Sequence, residues 1–166
     1  MKAIVVTDQA AGTAGMTLVE RPEPDAARLA SLSGANYGDV VVEVHASGFT
    51  GNELEWPSTW IDRLGRDRTP SIPGHEVAGV VTSLSYGATG LSVGQRVFGL
   101  TDWTRDGTLA EYTVVEARDL APLPVNSRAA IRPAKLAPQT SRSRDPLRSV
   151  RSAPRLVARS AIGQKR

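Results

Sequence analysis

A histidine and a glutamate stand side by side just before an apolar segment. They are His75 and Glu76, in the stretch TPSIPGHEVAGVV at residues 69–81. An imidazole next to a carboxylate could bind a metal ion, could position a substrate, or could form local hydrogen bonds where a strand begins. The chain's other histidine, His45, alternates with apolar Val44, which indicates a side chain that faces solvent. His75 and Glu76 are therefore the first candidates for chemistry.

The segments around this pair have the alternation and the β-branched residues of strands. Within residues 40–45, Val40, Val42 and Val44 form one face, and Val41, Glu43 and His45 form the other. Comparable segments are MKAIVVT, HEVAGVVTSLS, QRVFGL and GTLAEYTVVEA. Gly and Pro separate them. Short strands at this spacing predict a mainly β fold, as a barrel or a sandwich.

Two of the connecting segments also carry predictions. The stretch DAARLASLS, residues 25–33, is compatible with a short helix that Asp25 caps and Gly34 ends. The stretch RLGRDR, residues 63–68, is predicted to be a solvated surface loop because charged residues dominate it.

The charge of the chain is divided unevenly near residue 125. Of the 20 Lys and Arg residues, 11 lie in residues 126–166, together with one of the 17 acidic residues. The formal charge is therefore −7 before this point and +10 after it. The last aromatic residue is Tyr112. We predict one globular domain at residues 1–125 and a separate tail at residues 126–166.

Composition excludes several classes of protein. The chain has no Cys, so disulfides and thiolate zinc sites are ruled out. No apolar run approaches the ~20 residues that span a bilayer. The first residues, MKAIVVTDQA, become polar too early for a secretory signal. We therefore expect a cytoplasmic protein with no membrane partner.

Four segments in order resemble the N-terminal half of the medium-chain dehydrogenase/reductase superfamily, which includes zinc alcohol dehydrogenases and quinone oxidoreductases. The segments are HASGF, PSIPGHEVAGVV, LSVGQRVFGL and GTLAEYTVVEARDLAPLP. The match runs from about residue 1 to Pro124. Each segment alone is a weak signal, and the specificity of the match comes from the four segments occurring together in this order. The resemblance implies a GroES-like, partly open β-barrel with a few short helices. It also implies a second, Rossmann domain that binds NAD(P)H.

The resemblance bears directly on zinc. In zinc members of the superfamily, the histidine of the Gly-His-Glu motif is a catalytic metal ligand, and its partner is a cysteine after the Ala-Ser-Gly strand. Here that loop reads GFTGNE, and Thr50 stands in place of the cysteine. A neutral hydroxyl is a poor zinc ligand. The chain thus resembles the zinc-independent, quinone oxidoreductase-like branch, and Glu53, His75 and Glu76 are the alternative set for a carboxylate-rich metal site.

The resemblance also suggests roles for individual residues. It places Thr50, Glu53, His75 and Glu76 in the catalytic site, and Phe49 with Thr50 in contact with the cofactor. The Thr50 hydroxyl could donate to a developing enolate oxygen, or could contact the nicotinamide carboxamide or ribose.

Two tryptophans follow the same loop. Trp56 and Trp60 are predicted to line an apolar pocket for the substrate, or alternatively to cap the core of the barrel.

The function implied by the resemblance is that of the substrate-side catalytic domain of an NADP-dependent quinone or enone reductase. Its cofactor would be NADPH, no zinc is expected, and its substrate would be a small hydrophobic carbonyl compound or quinone. A homodimer is one expectation for the family's full-length enzymes. The Gly-rich motif that holds a dinucleotide pyrophosphate does not occur in the sequence. We therefore expect a chain truncated before the Rossmann domain and inactive on its own.

The tail has two competing explanations. Residues 126–166 are rich in Arg, Ser, Pro and Ala, and this composition predicts disorder. They could be an out-of-frame, non-native translation, or a genuine basic arm that binds nucleic acid non-specifically. A non-enzymatic barrel with such an arm is the alternative function. A stand-alone barrel of the co-chaperonin type is a third possibility, and the dehydrogenase-type motifs argue against it.

Overall fold

The computed structural model describes residues 1–25 and 37–124 of the 166-residue chain. Every described residue belongs to one compact unit, Met1–Lys135. The predicted helix at residues 25–33 falls outside the described residues except for Asp25. The predicted tail at residues 126–166 lies outside them entirely, so the predictions of disorder and of a nucleic-acid-binding arm stay predictions.

The described residues form a mainly β structure, as the alternation predicted. The strands are β1 Lys2–Val5, β2 Thr17–Glu20, β3 Asp39–Gly48, β4 Glu76–Leu84, β5 Arg96–Leu100, β6 Tyr112–Glu116 and β7 Leu120–Pro122. The helical elements are α1 Pro57–Trp60 and the 3-10 helices Gly12–Gly15, Gly51–Glu55 and Ala117–Asp119. None of these helices is long or apolar enough to span a bilayer, as far as the described part of the chain shows.

Five of these strands form one antiparallel sheet in the order β6-β3-β4-β5-β7. The two-stranded sheet β1-β2 joins this structure through isolated bridges, from Ala3 to Ala110 and from Val6 to Ser71. The result is the GroES-like, partly open barrel that the resemblance implied.

Valines fill the interior of the five-stranded sheet. The core residues are Val40, Val42, Val77, Val81, Val97, Val115 and Leu120. Val40 and Val42 come from one face of the alternating segment, and Val81 and Val97 contribute from the two strands beyond it. At Gly79, β4 passes so close to β3 that an added Cβ would overlap the carbonyl oxygen of Glu43. The dense packing of the sheet therefore depends on a glycine at this position.

The register of the sheet brings three loops to the same end. β3 ends at Gly48, which pairs with Glu76, the first residue of β4. Glu76 also pairs with Leu100, the last residue of β5. The loop after Gly48, the Pro-Gly-His-Glu segment and the loop after Leu100 therefore leave the sheet at one place.

The prediction of a solvated loop at residues 63–68 is wrong for its last arginine. The side chains of Arg63 and Arg66 are 69% and 72% exposed. The side chain of Arg68 is 9% exposed. Its guanidinium donates to the backbone carbonyls of Ser58 and Trp103, which draws it inward. Local composition could not indicate this, because one of the two acceptors comes from a distant loop.

Candidate functional site

A buried carboxylate connects two of the three loops. Glu53 is buried in the 3-10 helix Gly51–Glu55. Its Oε1 accepts a hydrogen bond from the backbone N–H of Thr50 at 3.0 Å. Its Oε2 accepts one from the backbone N–H of Gly74, also at 3.0 Å. One side chain thus holds the start of the 3-10 helix against the residue that precedes His75.

Gly74 is suited to this position by its backbone. Its φ of +88° lies in the left-handed region that side chains with a Cβ rarely adopt. An added Cβ would also press on the hydroxyls of Thr108 and Ser47, which lie 2.6 Å apart. The motif therefore needs glycine here both for conformation and for space.

The imidazole of His75 is buried and held on two sides. Its Nδ1 lies 2.9 Å from the hydroxyl of Thr101, a hydrogen-bonding distance. Its ring stacks on the indole of Trp103, with ring centroids 5.3 Å apart and planes inclined by 27°. The backbone carbonyl of His75 accepts from the N–H of Thr101 at 2.8 Å. The loop after β5 therefore supplies the immediate surroundings of His75.

Burial lowers the pKa of His75 from 6.5 to about 4, and the nearby charge of Arg68 acts in the same direction. The carboxylate of Asp102 opposes this shift. His75 is consequently a neutral imidazole near pH 7, able to take part in hydrogen bonds without carrying a charge.

Hydrogen bonds and ion pairs hold the loop that carries Trp103. Burial opposes the ionisation of Asp102, but hydrogen bonds from Thr104 and the charge of Arg63 outweigh it, so the pKa of Asp102 lies below its usual range. Asp102 Oδ1 accepts from the Thr104 N–H at 2.9 Å, and Oδ2 pairs with Arg63. Arg105 makes a bidentate pair with Asp39, which is 1% exposed, over distances of 2.7 and 3.1 Å. These contacts fix the loop that carries Trp103.

The two tryptophans predicted to line a pocket, Trp56 and Trp60, make different contacts. Trp56 packs against Trp103, with ring centroids 4.5 Å apart and planes inclined by 49°. The Trp60 indole Nε1 donates to the Leu54 carbonyl at 2.8 Å, which ties α1 to the preceding 3-10 helix. Trp56 therefore belongs to the aromatic group around His75, and Trp60 is held by a backbone contact.

The remaining predicted residues lie at the rim. Thr50 is exposed at the beginning of its 3-10 helix, and Phe49 is half-buried. Glu76 is exposed, and its side chain packs over Gly48. The structure thus joins Thr50, Glu53 and the segment before His75 through one carboxylate.

The described part of the chain has surface cavities, and two of them are large enough to hold a small molecule. One, of about 530 Å³, includes Arg63, Phe98, Leu100, Thr101, Asp102 and Trp103 in its lining. The other, of about 620 Å³, includes Met1, Arg21, Ile72, Arg105 and Tyr112. Neither is lined by a site residue that the sequence predicted. The first adjoins the site through Thr101 and Trp103, which both contact His75.

The side chains at the site differ from the donors that zinc prefers. Thr50 offers a neutral hydroxyl, and both oxygens of Glu53 already accept backbone hydrogen bonds. Within residues 1–25 and 37–124, no three His, Cys, Asp or Glu side chains are grouped in a way that could hold a metal ion. These residues do not fit a catalytic zinc site, which takes three protein ligands.

Sequence reasoning missed three residues of the site: Thr101, Trp103 and Arg68. Each makes contacts with residues 26 to 35 positions away, and such contacts leave no trace in local periodicity. Trp103 carried one usable signal. It stands in the otherwise polar stretch TDWTRDG, and an isolated large aromatic in a polar loop is a candidate for binding.

Comparisons with known proteins agree with this architecture. The chain is 28% identical to an alcohol dehydrogenase superfamily protein of Novosphingobium aromaticivorans, with a TM-score of 0.58 over 76% of this chain and 35% of that one. It is 25% identical to a quinone oxidoreductase of Pseudomonas syringae pv. Tomato DC3000, with a TM-score of 0.59 over 75% and 34%. It is 40% identical over 75 residues to the 2-methylene-furan-3-one reductase of Solanum lycopersicum. The matched segment covers 39% of this chain and 19% of the reductase.

The chain therefore spans about a third of the length of the solved structures that it matches. The family description "Alcohol dehydrogenase GroES-like domain" matches residues 36–125, which is more than half of the chain. The fold, the Pro-Gly-His-Glu loop and this match together show that the chain belongs to the alcohol dehydrogenase GroES-like domain family of the medium-chain dehydrogenase/reductase superfamily.

Proposed function

We propose that this chain forms the acceptor-binding half of a zinc-independent, NADP-dependent oxidoreductase that reduces a quinone or an enone. The donor chemistry of the site carries the proposal. It offers a hydroxyl, a neutral imidazole and a carboxylate occupied by backbone N–H groups. Hydride reduction of a conjugated carbonyl needs a held acceptor and a hydrogen-bond donor, and it does not require a metal. Two of the matched relatives are a quinone oxidoreductase and a reductase of a conjugated furanone.

In this mechanism, NADPH supplies the hydride when it is bound. Phe49 and Thr50 lie on the loop that would face the nicotinamide, and the exposed Thr50 hydroxyl donates to the acceptor oxygen as negative charge develops on it. Neutral His75 supports the aromatic group that orients the acceptor. Glu76, exposed beside Gly48, lies at the rim and positions the substrate.

The first test separates binding from turnover. The 166-residue chain is titrated with 2-methyl-1,4-naphthoquinone by calorimetry, and NADPH oxidation is followed at 340 nm with the same acceptor. We expect acceptor binding without NADPH oxidation, because the sequence has no Gly-rich pyrophosphate motif. Residues 1–124 are then grafted onto the nucleotide-binding half of the Pseudomonas syringae relative, and we expect the chimera to oxidise NADPH. A chimera that folds and binds NADPH but never turns over contradicts the proposal.

The role of the hydroxyl is tested in the same chimera. Thr50→Ala should lower kcat about 10- to 100-fold by removing the donor to the developing oxyanion, and Thr50→Ser should retain most of the activity. Zinc analysis of the active chimera should show less than stoichiometric metal. A Thr50→Ala chimera with the same kcat as the unsubstituted chimera would remove Thr50 from the chemistry.

A further inference from the structure

Trp103 presents a flat aromatic surface to solvent. It is 44% exposed, although it contacts both His75 and Trp56. An indole that packs against two other rings is rigid even though part of its surface is exposed. A ligand that stacks on this surface therefore causes little further loss of side-chain conformational entropy.

The cavity next to Trp103 has the size of a small-molecule site, and charged residues, among them Arg63 and Asp102, line it together with apolar ones. Its volume is about 530 Å³, within the usual range of ligand pockets. Its large exposed apolar residues are Phe98, Leu100 and Trp103, which are 45%, 50% and 44% exposed, and the buried Leu120 also lines it. The indole of Trp103 stacks on the His75 ring, so an aromatic surface forms the side of the cavity next to the site.

Arg68 holds Trp103 in this position. Its Nη1 donates to the carbonyl of Trp103 at 3.3 Å and to the carbonyl of Ser58. Its Nη2 lies 3.8 Å from Asp106 Oδ1, in the same loop as Trp103. Because the side chain is 9% exposed, the guanidinium makes these contacts away from solvent, and its Nη2 has the ion pair with Asp106 but no hydrogen bond within the described residues. Arg66, two residues earlier, is 72% exposed and pairs with Asp62 of its own turn.

We propose that Trp103 determines specificity by favouring planar conjugated acceptors over compact aliphatic ones, and that Arg68 is the positioning residue that keeps its indole in place. This inference rests on the proposed function. It predicts that planarity is recognised by this half of the enzyme, through stacking on the exposed indole. Loss of either residue should then affect planar ligands selectively.

The test measures Kd by calorimetry on the 166-residue chain for two ligands. One is planar 2-methyl-1,4-naphthoquinone, and the other is 4,4-dimethyl-2-cyclohexen-1-one, whose methyl groups prevent close stacking. Trp103→Leu should weaken binding of the quinone about tenfold and should change the Kd of the enone less than twofold. The matched control is Tyr86→Leu, which removes a 78% exposed aromatic elsewhere and should leave both Kd values unchanged.

Arg68 is tested through its dependence on Trp103. Arg68→Met should reproduce the selective loss of quinone binding. Arg68→Lys should keep part of the wild-type affinity for the quinone, because an ammonium can still donate to one of the two carbonyls. The double variant Arg68→Met with Trp103→Leu should be no worse than Trp103→Leu alone. Arg66→Met is the control. If the effects of Arg68 and Trp103 add, or if both ligands weaken equally, Arg68 has no positioning role.

The outcomes separate this inference from the proposed function. If the wild-type chain binds both ligands and Trp103→Leu leaves their ratio unchanged, specificity does not come from Trp103 and the acceptor-binding function stands. If the folded wild-type chain binds neither ligand, the proposed function fails and this inference fails with it. Selective loss in Trp103→Leu and Arg68→Met supports both.

Discussion

Buried valines hold the five-stranded sheet together, whereas hydrogen bonds, stacked rings and ion pairs hold the loops at its end. Val42, Val81 and Val97 are fully buried in the sheet. In the loops, Glu53 and Arg68 make their contacts with backbone atoms of other loops. Apolar burial is insensitive to pH and is not weakened by the screening that salt causes, whereas contacts between charged groups are sensitive to both. The two regions should therefore respond differently to substitution and to solution conditions.

The largest effect on stability is expected at Gly79, where β3 and β4 pack too closely to admit a Cβ. Gly79→Ala places a Cβ against the carbonyl oxygen of Glu43, and β3 and β4 must separate to admit it. We expect a loss of about 4 kcal/mol in the free energy of unfolding, measured by urea denaturation. Gly51→Ala is the control, because a Cβ there has only an ordinary contact with Thr13. Similar losses in both variants would contradict the tight packing of the sheet.

The second-largest effect on stability is expected in the loops at the end of the sheet. Glu53→Ala leaves the N–H groups of Thr50 and Gly74 without their acceptor and should cost about 3 kcal/mol. Glu55→Ala, at an exposed position in the same 3-10 helix, should cost less than about 0.5 kcal/mol. Urea denaturation measures both. A Glu53→Ala variant as stable as the wild type would show that the carboxylate does not hold the loops together.

The third prediction uses pH to separate the two regions. The pKa of His75 is lowered to about 4 in the folded chain, while the unfolded chain keeps a value near 6.5. The unfolded state therefore binds the proton first as the pH falls, and stability is lost between pH 6.5 and 4. The loss should reach about 2 kcal/mol by pH 5.

Thermal unfolding at pH 8 and pH 5 measures this loss. His75→Asn should abolish most of the difference, and His45→Asn should preserve it. If His75→Asn and the wild type lose the same stability, the imidazole is not buried in the way described.

The smallest effect is expected at the surface. Arg66→Ala breaks an exposed ion pair with Asp62 and should change stability by less than about 0.5 kcal/mol, an effect that 1 M NaCl removes. Urea denaturation at low and high salt is the measurement. A change above 1 kcal/mol would mean that Arg66, like Arg68, supports the loops.

The same division explains what sequence alone could predict. The strands followed from alternating β-branched residues, because burial on one face of a sheet leaves a period of two. The family motif located Thr50, Glu53 and His75. It could not indicate that Trp103 stacks on His75 or that Arg68 turns inward, because both contacts join loops that are distant in the sequence. Arg68 was predicted to be solvated from its charged neighbours, and its tertiary contacts override that local pattern.

The order of strands in the sheet has a consequence for synthesis on the ribosome. β3 is central in the sheet, and both of its partners, β4 and β6, come later in the chain. β6 is made roughly 70 residues after β3, which at about 5–20 residues per second takes roughly 3–14 s. During this time the segment VVVEV emerges with an unpaired edge, and its high β propensity favours aggregation. The yield of folded protein in cells should therefore depend on translation speed and on chaperones that bind nascent chains.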